Sequence, residues 1–256
     1  IFVHGSMCFA YSGRCLVSSV QSGRMSNRGS CANDCRFKYE LYAKNEESGV
    51  LFRLEEDENG THIMNSKDLC LISHIKEIVD SGVIDSLKIE GRTKSEYYAA
   101  CTARAYKMAI DDAMDDKFNA QIYENEINTL KNRGFTDGYL VHRPYERTDT
   151  QNHVSSLEEG THQVNAISED GEYFKCKYKI FPGNSYEIVA PTGSVIEDSE
   201  NEISKVYSQD GKKFIKFKKL VTKKGKEIAE IHSGNENEVN LGARLPKFSF
   251  LREEIK

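Results

Sequence analysis

The sequence lacks most of the features that would place it quickly. Among its 256 residues no apolar run approaches the roughly 20 residues a membrane span needs, and no basic segment followed by an apolar one precedes the first strand. A spanning helix and a secretory leader are therefore not expected, and disulfides are disfavoured with them. Neither His-Glu-x-x-His nor Gly-x-Ser-x-Gly occurs, so two common hydrolase signatures are missing. Cys-x2-Cys is absent as well, which removes the zinc-ribbon and ferredoxin patterns. Positive charge is not in excess: the formal net charge is −5, which argues against a surface basic all over and leaves room for a local basic patch.

What is present is concentrated at the start. Four of the seven cysteines, Cys8, Cys15, Cys31 and Cys35, stand in a C-x6-C-x15-C-x3-C spacing. Residues 1–3 read as a short buried strand, and His4-Gly5-Ser6-Met7 leaves it in a turn that delivers Cys8 into a loop rich in glycine and small polar residues. Several thiolates converging from such a loop suit zinc or an iron–sulfur cluster. The competing reading is cysteine that is merely buried or disulfide-bonded.

Residues 37–41 and 49–54 read as a hairpin, and the acidic run 55–60 as a solvated turn. Leu69, Ile72, Ile75 and Val79 fall three and four apart and predict a helix over 67–80, ended by Gly82. A buried strand follows over 86–89, then Glu90-Gly91-Arg92, then Thr93-Lys94-Ser95-Glu96 as a capping box opening a long helix to about residue 115. Cys101 within that helix reads as core, and a further helix is expected over about 120–132. Helix, strand, polar loop and helix alternate as in a (β/α) barrel. Glu90 and Arg92 would then stand at the carboxyl end of a barrel strand, facing one mouth with His4 and the cysteine loop. There Glu90 could act as general acid or base and Arg92 could hold a carboxylate or phosphate; the plainer alternative is that they pair with each other.

Beyond a polar linker over 143–160, short alternating segments take over. Asp170-Gly171 and Asp210-Gly211 are type I′ hairpin signals, and the whole predicts a small β-barrel or sandwich. Lys212, Lys213, Lys216, Lys218, Lys219, Lys223, Lys224 and Lys226 crowd fifteen residues that hold no acid. They suit phosphate tracking along RNA or, equally, an edge strand charged against aggregation. Phe214 and Phe217 are three apart and should point to opposite faces. The expected architecture is α/β plus β: the carboxyl-terminal part of a (β/α) TIM-like barrel over 1–118, a helix and linker over 119–160, and a small β-barrel domain over 161–256. Starting at Ile1 inside a strand, the chain is expected to be part of something longer.

Several stretches carry a resemblance. FVHGSMC-x6-C-x2-S at the start, NSKDL at 65–69, SLKIEGRTKSEYY at 86–98 and NRGFTDGYL at 132–140 resemble the U32 collagenase-like peptidase family, most closely its tRNA hydroxylation branch. The resemblance implies oxygen-independent hydroxylation of a tRNA uridine to wobble 5-hydroxyuridine, with prephenate as a source of the cosubstrate. It also implies a [4Fe–4S] cluster on four cysteines and tRNA as partner. Cys8, Cys15 and Cys31 match recurring family cysteines. The fourth ligand is Cys70, thirty-nine residues beyond Cys31 and expected in a helix's first turn, or Cys35. His4, Glu90 and Arg92 are the candidate catalytic residues, and Lys213, Lys216, Lys218 and Lys219 the candidate RNA contacts. A cytoplasmic protein is the corresponding expectation. Two other classes stay open: a peptidase pairing a cysteine with His62, His74 or His142, and a noncatalytic RNA-binding module with a structural metal.

Overall fold

The computed structural model describes residues 1–8, 14–44, 46–49, 51–54, 61–62, 66–141, 150, 152, 160–235 and 237–255. The chain divides into two compact units, the first formed by Ile1–Thr93 and Lys131–Glu159 and the second by Lys94–Leu130 and Gly160–Lys256. The second unit therefore takes in helices that the sequence reading assigns to the first domain and the linker.

The first unit opens with strand β1 (Phe2–Ser6). The cysteine loop follows, with a short helix α1 (Val17–Ser22). Strands β2 (Lys38–Tyr39), β3 (Leu41–Lys44), β4 (Leu51–Leu54) and β5 (Thr61–His62) form two small ladders, β2 with β5 and β3 with β4, so the hairpin's first arm, expected over 37–41, runs over 41–44 and residues 38–39 pair with a later strand. The acidic run 55–60 lies outside the described residues.

Next come β6 (Asp68–Cys70), α2 (Ile75–Asp80), β7 (Lys88–Ile89) and β8 (Phe135–Thr136). Their sheet has the order β7-β1-β6-β8, with β1–β7 and β6–β8 parallel and β1–β6 antiparallel. The helix expected over 67–80 is corrected here: 68–70 is a strand, paired His4↔Cys70 and Ser6↔Asp68, and helical turns begin only at Ile72. A 3.6-residue spacing of apolar side chains cannot register a ladder partner more than sixty residues away. Leu71, Ile72, Ile75 and Ile78 still bury one face with Val3 as the core. The strand expected as buried over 86–89 shrinks to β7, a half-exposed edge with β1 as its neighbour.

In the second unit α3 (Glu96–Met114) is capped by Ser95, whose hydroxyl accepts the N–H of Tyr98 at 3.2 Å, so the cap stands two residues after Thr93. Asn119 caps α4 (Ala120–Ile127) in the same way through Gln121. Strands β9 (His162–Ser168), β10 (Tyr173–Cys176), β11 (Ser185–Val189), β12 (Ser199–Glu200), β13 (Ser204–Gln209) and β14 (Lys212–Phe217) follow. After them come β15 (Leu220–Val221), β16 (Glu227–Ile228), β17 (Val239–Asn240) and β18 (Ser249–Glu254). Eight of these form one curled, half-barrel sheet in the order β12-β13-β14-β11-β18-β9-β10-β17, antiparallel throughout.

Asp210 and Gly211 both take positive φ, 50° and 75°, and join β13 to β14 as the expected type I′ turn. The other pair is different. Asp170 keeps a negative φ and its carboxylate accepts the N–H groups of Glu172 and Tyr173 at 2.8 and 2.9 Å, an Asx-type turn in which only Gly171 is left-handed.

One face of the sheet buries Phe174, Tyr186, Ile188, Ile215, Phe217 and Leu251. The other meets α3 and α4 around Arg252, which is 1 % exposed. Its Nε and Nη2 grip both oxygens of Glu187 at 3.0 and 2.8 Å, and Nη1 and Nη2 reach Glu126 at 3.1 Å each. Nη1 also donates to Tyr97 Oη and Thr129 Oγ1, both at 3.1 Å. Burial alone would raise the pKa of Glu187, but the hydrogen bonds and charge of Arg252, with Lys212, hold it below the usual carboxylate range. Burial and Arg252 together push His162, 3.6 Å from Glu187, below its ordinary value.

Truncating one partner of such a network leaves buried charge uncompensated. Arg252→Met should destabilise the protein by about 3–5 kcal/mol in denaturant unfolding. Adding Glu126→Gln and Glu187→Gln should recover much of the loss. Both perturbed groups bind protons more readily when unfolded. Stability should therefore be full above pH 6.5, fall first as His162 is forced to charge, and fall again below pH 4.5 as Glu187 protonates. Thermal melts against pH check this, and His162→Gln should flatten the upper step alone.

Candidate functional site: the cysteine loop

Strand β1 aims the chain into the loop. Gly5 holds φ at 128°, and a Cβ there would fall on the carbonyl of Glu90. The glycine is therefore required by close approach as well as by its backbone angle. The contact is locked by the Glu90 N–H donating to His4 O at 2.8 Å. Ser6 and Met7 then lead directly to Cys8.

Past α1 the chain turns through Asn33, in the left-handed region at φ 61°, into a single 3-10 turn, Asp34–Arg36. Ser22 Oγ donates to the Asp34 carboxylate at 3.1 Å and Tyr39 Oη to the Asp34 carbonyl at 2.6 Å, which fixes that turn. The Cys31 sulfur accepts the N–H of Asn33 at 3.3 Å and lies 3.7 Å from Ser18 Oγ. That hydroxyl also accepts the N–H of Ala32 at 3.0 Å, and the Cys31 sulfur stands 3.9 Å from Asn33 Oδ1, so neighbouring polar groups hold the sulfur in place.

Cys35 ties the four cysteines together. Burial raises its pKa, Arg36 opposes that, and Cys8, Cys31 and Cys15 each raise it further, so the four sulfurs share one electrostatic neighbourhood. No disulfide joins them. Among the described residues no three cysteine, histidine or acidic side chains stand at metal-ligating spacing as placed. Cys70 stands on β6 opposite His4, not in a helix's first turn, so no helix dipole acts on it. Cys101 and Cys176 are buried in the second unit, their thiols pushed up by burial to about 12 and about 11, and are inert at neutral pH.

The candidate catalytic residues are placed less openly than expected. Glu90 Oε1 accepts the Arg92 N–H at 3.2 Å and lies 4.0 Å from its Nε, so the two pair with each other. Arg92 is nevertheless 73 % exposed along its side chain and reaches the loop, where its Nη1 would lie 3.0 Å from a Cβ at Gly29. His4 is only 1 % exposed and packs its ring 5.6 Å from that of Phe135.

Two arginines to which the sequence reading gives no role, Arg133 and Arg36, stand beside the loop. Arg133 binds Asp68 at 2.8 Å and Ser6 at 2.9 Å, all from the interior. Arg36 donates to Met7 O at 2.5 Å, and Cys35 and Cys8 are among the charges acting on it. Only its position next to Cys35 could have singled it out in the sequence. Soft sulfur ligands, donors onto Cys31 and a cation beside Cys8 and Cys35 together suit a thiolate-bound iron–sulfur group.

The lysine strand is less basic in three dimensions than in sequence. Lys213 meets Asp198 at 2.6 Å, Lys218 Glu200 at 2.7 Å, Lys219 Glu202 at 3.1 Å, Lys212 Glu187 at 3.2 Å and Lys223 Glu238 at 2.5 Å. Lys216 has no such partner among the described ion pairs and faces Lys205 across the ladder. Phe214 stacks on Tyr207 at 5.7 Å while Phe217 joins the core, the opposed faces expected.

Comparison with known proteins follows these features. Residues 1–150 match Peptidase family U32. A Helicobacter pylori protein named tRNA hydroxylation protein P is 54 % identical over 258 residues, covering 100 % of this chain and 61 % of that protein. The Escherichia coli protein of the same name is 34 % identical over 262 residues, covering 82 % and 57 %. A Porphyromonas gingivalis collagenase is 37 % identical over 144 residues, covering 55 % and 33 %. The chain thus spans less than two thirds of the length of the relatives it matches, and no solved structure matches it. A cysteine loop delivered by a glycine-pinned strand, in a segment that matches one family from residue 1 to 150, places this chain in peptidase family U32.

Proposed function

We propose that this chain takes part in hydroxylating a uridine of tRNA, to 5-hydroxyuridine at the wobble position, at a [4Fe–4S] cluster held by Cys8, Cys15, Cys31 and Cys35. The feature that supports this reading is the loop bearing those four cysteines, entered through Gly5 and turned at Asp34–Arg36, in a chain 54 % identical to a relative named for tRNA hydroxylation. A bound cluster supplies one-electron redox chemistry. The chain's own part is to fix the loop: Gly5 sets its entry, Asn33 and Ser18 direct donors onto Cys31, and the Asp34–Arg36 turn presents Cys35. Arg92, exposed and resting against the loop, is suited to receive an anionic cosubstrate, for which a prephenate-derived carboxylate is the proposed chemistry. The parallel pairs β1–β7 and β6–β8 are in keeping with part of a TIM-like barrel, from which the antiparallel β1–β6 pair between them departs, and the curled sheet supports reading the second unit as a small β-barrel.

The β-domain's part is to hold the tRNA backbone. Exposed ion pairs like those on β14 exchange partners readily, so phosphates can replace Asp198, Glu200 and Glu202 as the lysines' partners. The collagenase relative keeps a peptidase reading in view, yet Cys35 is a poor nucleophile with its pKa raised by burial. Of the histidines that could activate a cysteine, His74 is engaged by Glu77 at 3.0 Å; the His62 side chain and His142 lie outside the described residues.

Two measurements test this. Anaerobically purified intact protein should hold iron and sulfide in equal amounts; Cys8→Ser, Cys15→Ser, Cys31→Ser and Cys35→Ser should each lose them, while Cys70→Ser, Cys101→Ser and Cys176→Ser keep them. Loss in Cys70→Ser with retention in Cys35→Ser would move the fourth ligand to β6. Reversing charge at Lys216, Lys218 and Lys219 should weaken tRNA binding and lower the slope of log K against log salt by roughly 0.7–0.9 for each phosphate that is no longer neutralised. An unchanged slope would reduce the strand to a solubility device.

A further inference from the structure

Arg36 is a buried cation whose hydrogen bonding is incomplete. It is 7 % exposed; Nη2 donates to the Met7 carbonyl, but Nη1 is shut off from solvent and has no hydrogen-bond partner. A guanidinium left this way is costly unless an anion meets it. The nearby carboxylates are already engaged. Asp68, 0 % exposed, takes Arg133 Nη2 on one oxygen at 2.8 Å and the Arg133 N–H on the other at 3.4 Å, and Asp34 takes Ser22. Arg36 thus lies between the Met7 carbonyl, next to Cys8, and Cys35, its own neighbour in the chain, with one guanidinium arm unbonded.

We propose that Arg36 is the counter-charge and N–H donor to the thiolate-bound cluster of the cysteine loop, its free Nη1 arm directed at cluster or cysteine sulfur. The inference rests on the iron–sulfur reading above and assigns a positioning and potential-setting residue within it. Its consequence follows from charge. When an external reductant adds one electron to the cluster, the site gains one negative charge, and a fixed cation beside it favours that reduced state. Hydrogen bonds to sulfur act in the same direction.

The test is a potentiometric titration of the intact, anaerobically reconstituted protein, with dithionite as electron donor and absorption and electron paramagnetic resonance as readouts. Arg36→Gln should lower the midpoint potential, shifting the oxidised-to-reduced ratio at a fixed potential by about tenfold, which is about 59 mV for a one-electron couple. Arg36→Lys, which keeps the charge, should stay near the wild type. Equal potentials in all three proteins, or an equal drop in both variants, would overturn the assignment. If Arg36→Gln takes up no cluster while its circular dichroism shows it folded, iron retention by Arg36→Lys decides: retention upholds the role of charge and loss overturns it. Wild-type protein without iron and sulfide would refute the cluster reading itself, and this inference with it, before any variant is made.

Discussion

The buried guanidinium of Arg252 is the fixed point of the second unit. It holds two carboxylates bidentately, one from the sheet and one from α4, and adds Tyr97 from α3. Burying three charges is expensive, and geometry of this quality is what makes it tolerable. The cost of desolvation also enforces specificity: a helix rotated or slid by one residue would strand Glu126 or Tyr97 away from the guanidinium. Packing brings the same elements together through Tyr97 and Phe250, whose rings meet edge to face at 5.3 Å.

A second guanidinium does the opposite in the first unit. Where Arg252 is saturated, Arg36 keeps one arm unused in an interior that also holds the Asp68–Arg133 pair. The scaffold around it is tightly specified. Gly5 admits Glu90, Glu90 pairs with Arg92, and Arg92 lies against Gly29, so one chain of contacts runs from the strand to the loop. A site built this way separates two tasks. Short-range hydrogen bonds fix the backbone of the loop, and the buried charge of Arg36 bears on the sulfurs that the loop carries.

Local signals were readable and distant ones were not. The Asp210-Gly211 turn, the start of α3 within two residues of its expected cap, and the opposed Phe214 and Phe217 all depend on a few neighbouring residues. The four-cysteine spacing drew attention to the segment between β1 and β2, whose turns are set by near neighbours such as Ser22 and Asp34. The placement of Cys70 in a helix misled because its apolar neighbours keep a helical period while its backbone pairs with β1. The lysine strand looked uncompensated because Asp198, Glu200, Glu202 and Glu238 come from other segments. Arg36 and Arg252 carry no motif at all; their meaning lies in burial, which a linear sequence does not display.

The family match ends at residue 150, yet the salt-bridge cluster does not respect that limit. Tyr97, Glu126 and Thr129 lie within the shared segment, whereas Glu187 and Arg252 lie beyond it. The segment common to the whole family therefore ends in the middle of an ion cluster, although the tRNA hydroxylation relative from Helicobacter pylori matches the chain throughout. Any U32 chain that keeps the acidic α4 but continues into a different downstream sequence inherits half of a charge pair. It must either draw a new cation from that sequence or lose the carboxylate at the position of Glu126. Substitution at that one position should thus travel with exchange of the whole downstream module, so that a single helix residue records which module a given relative carries.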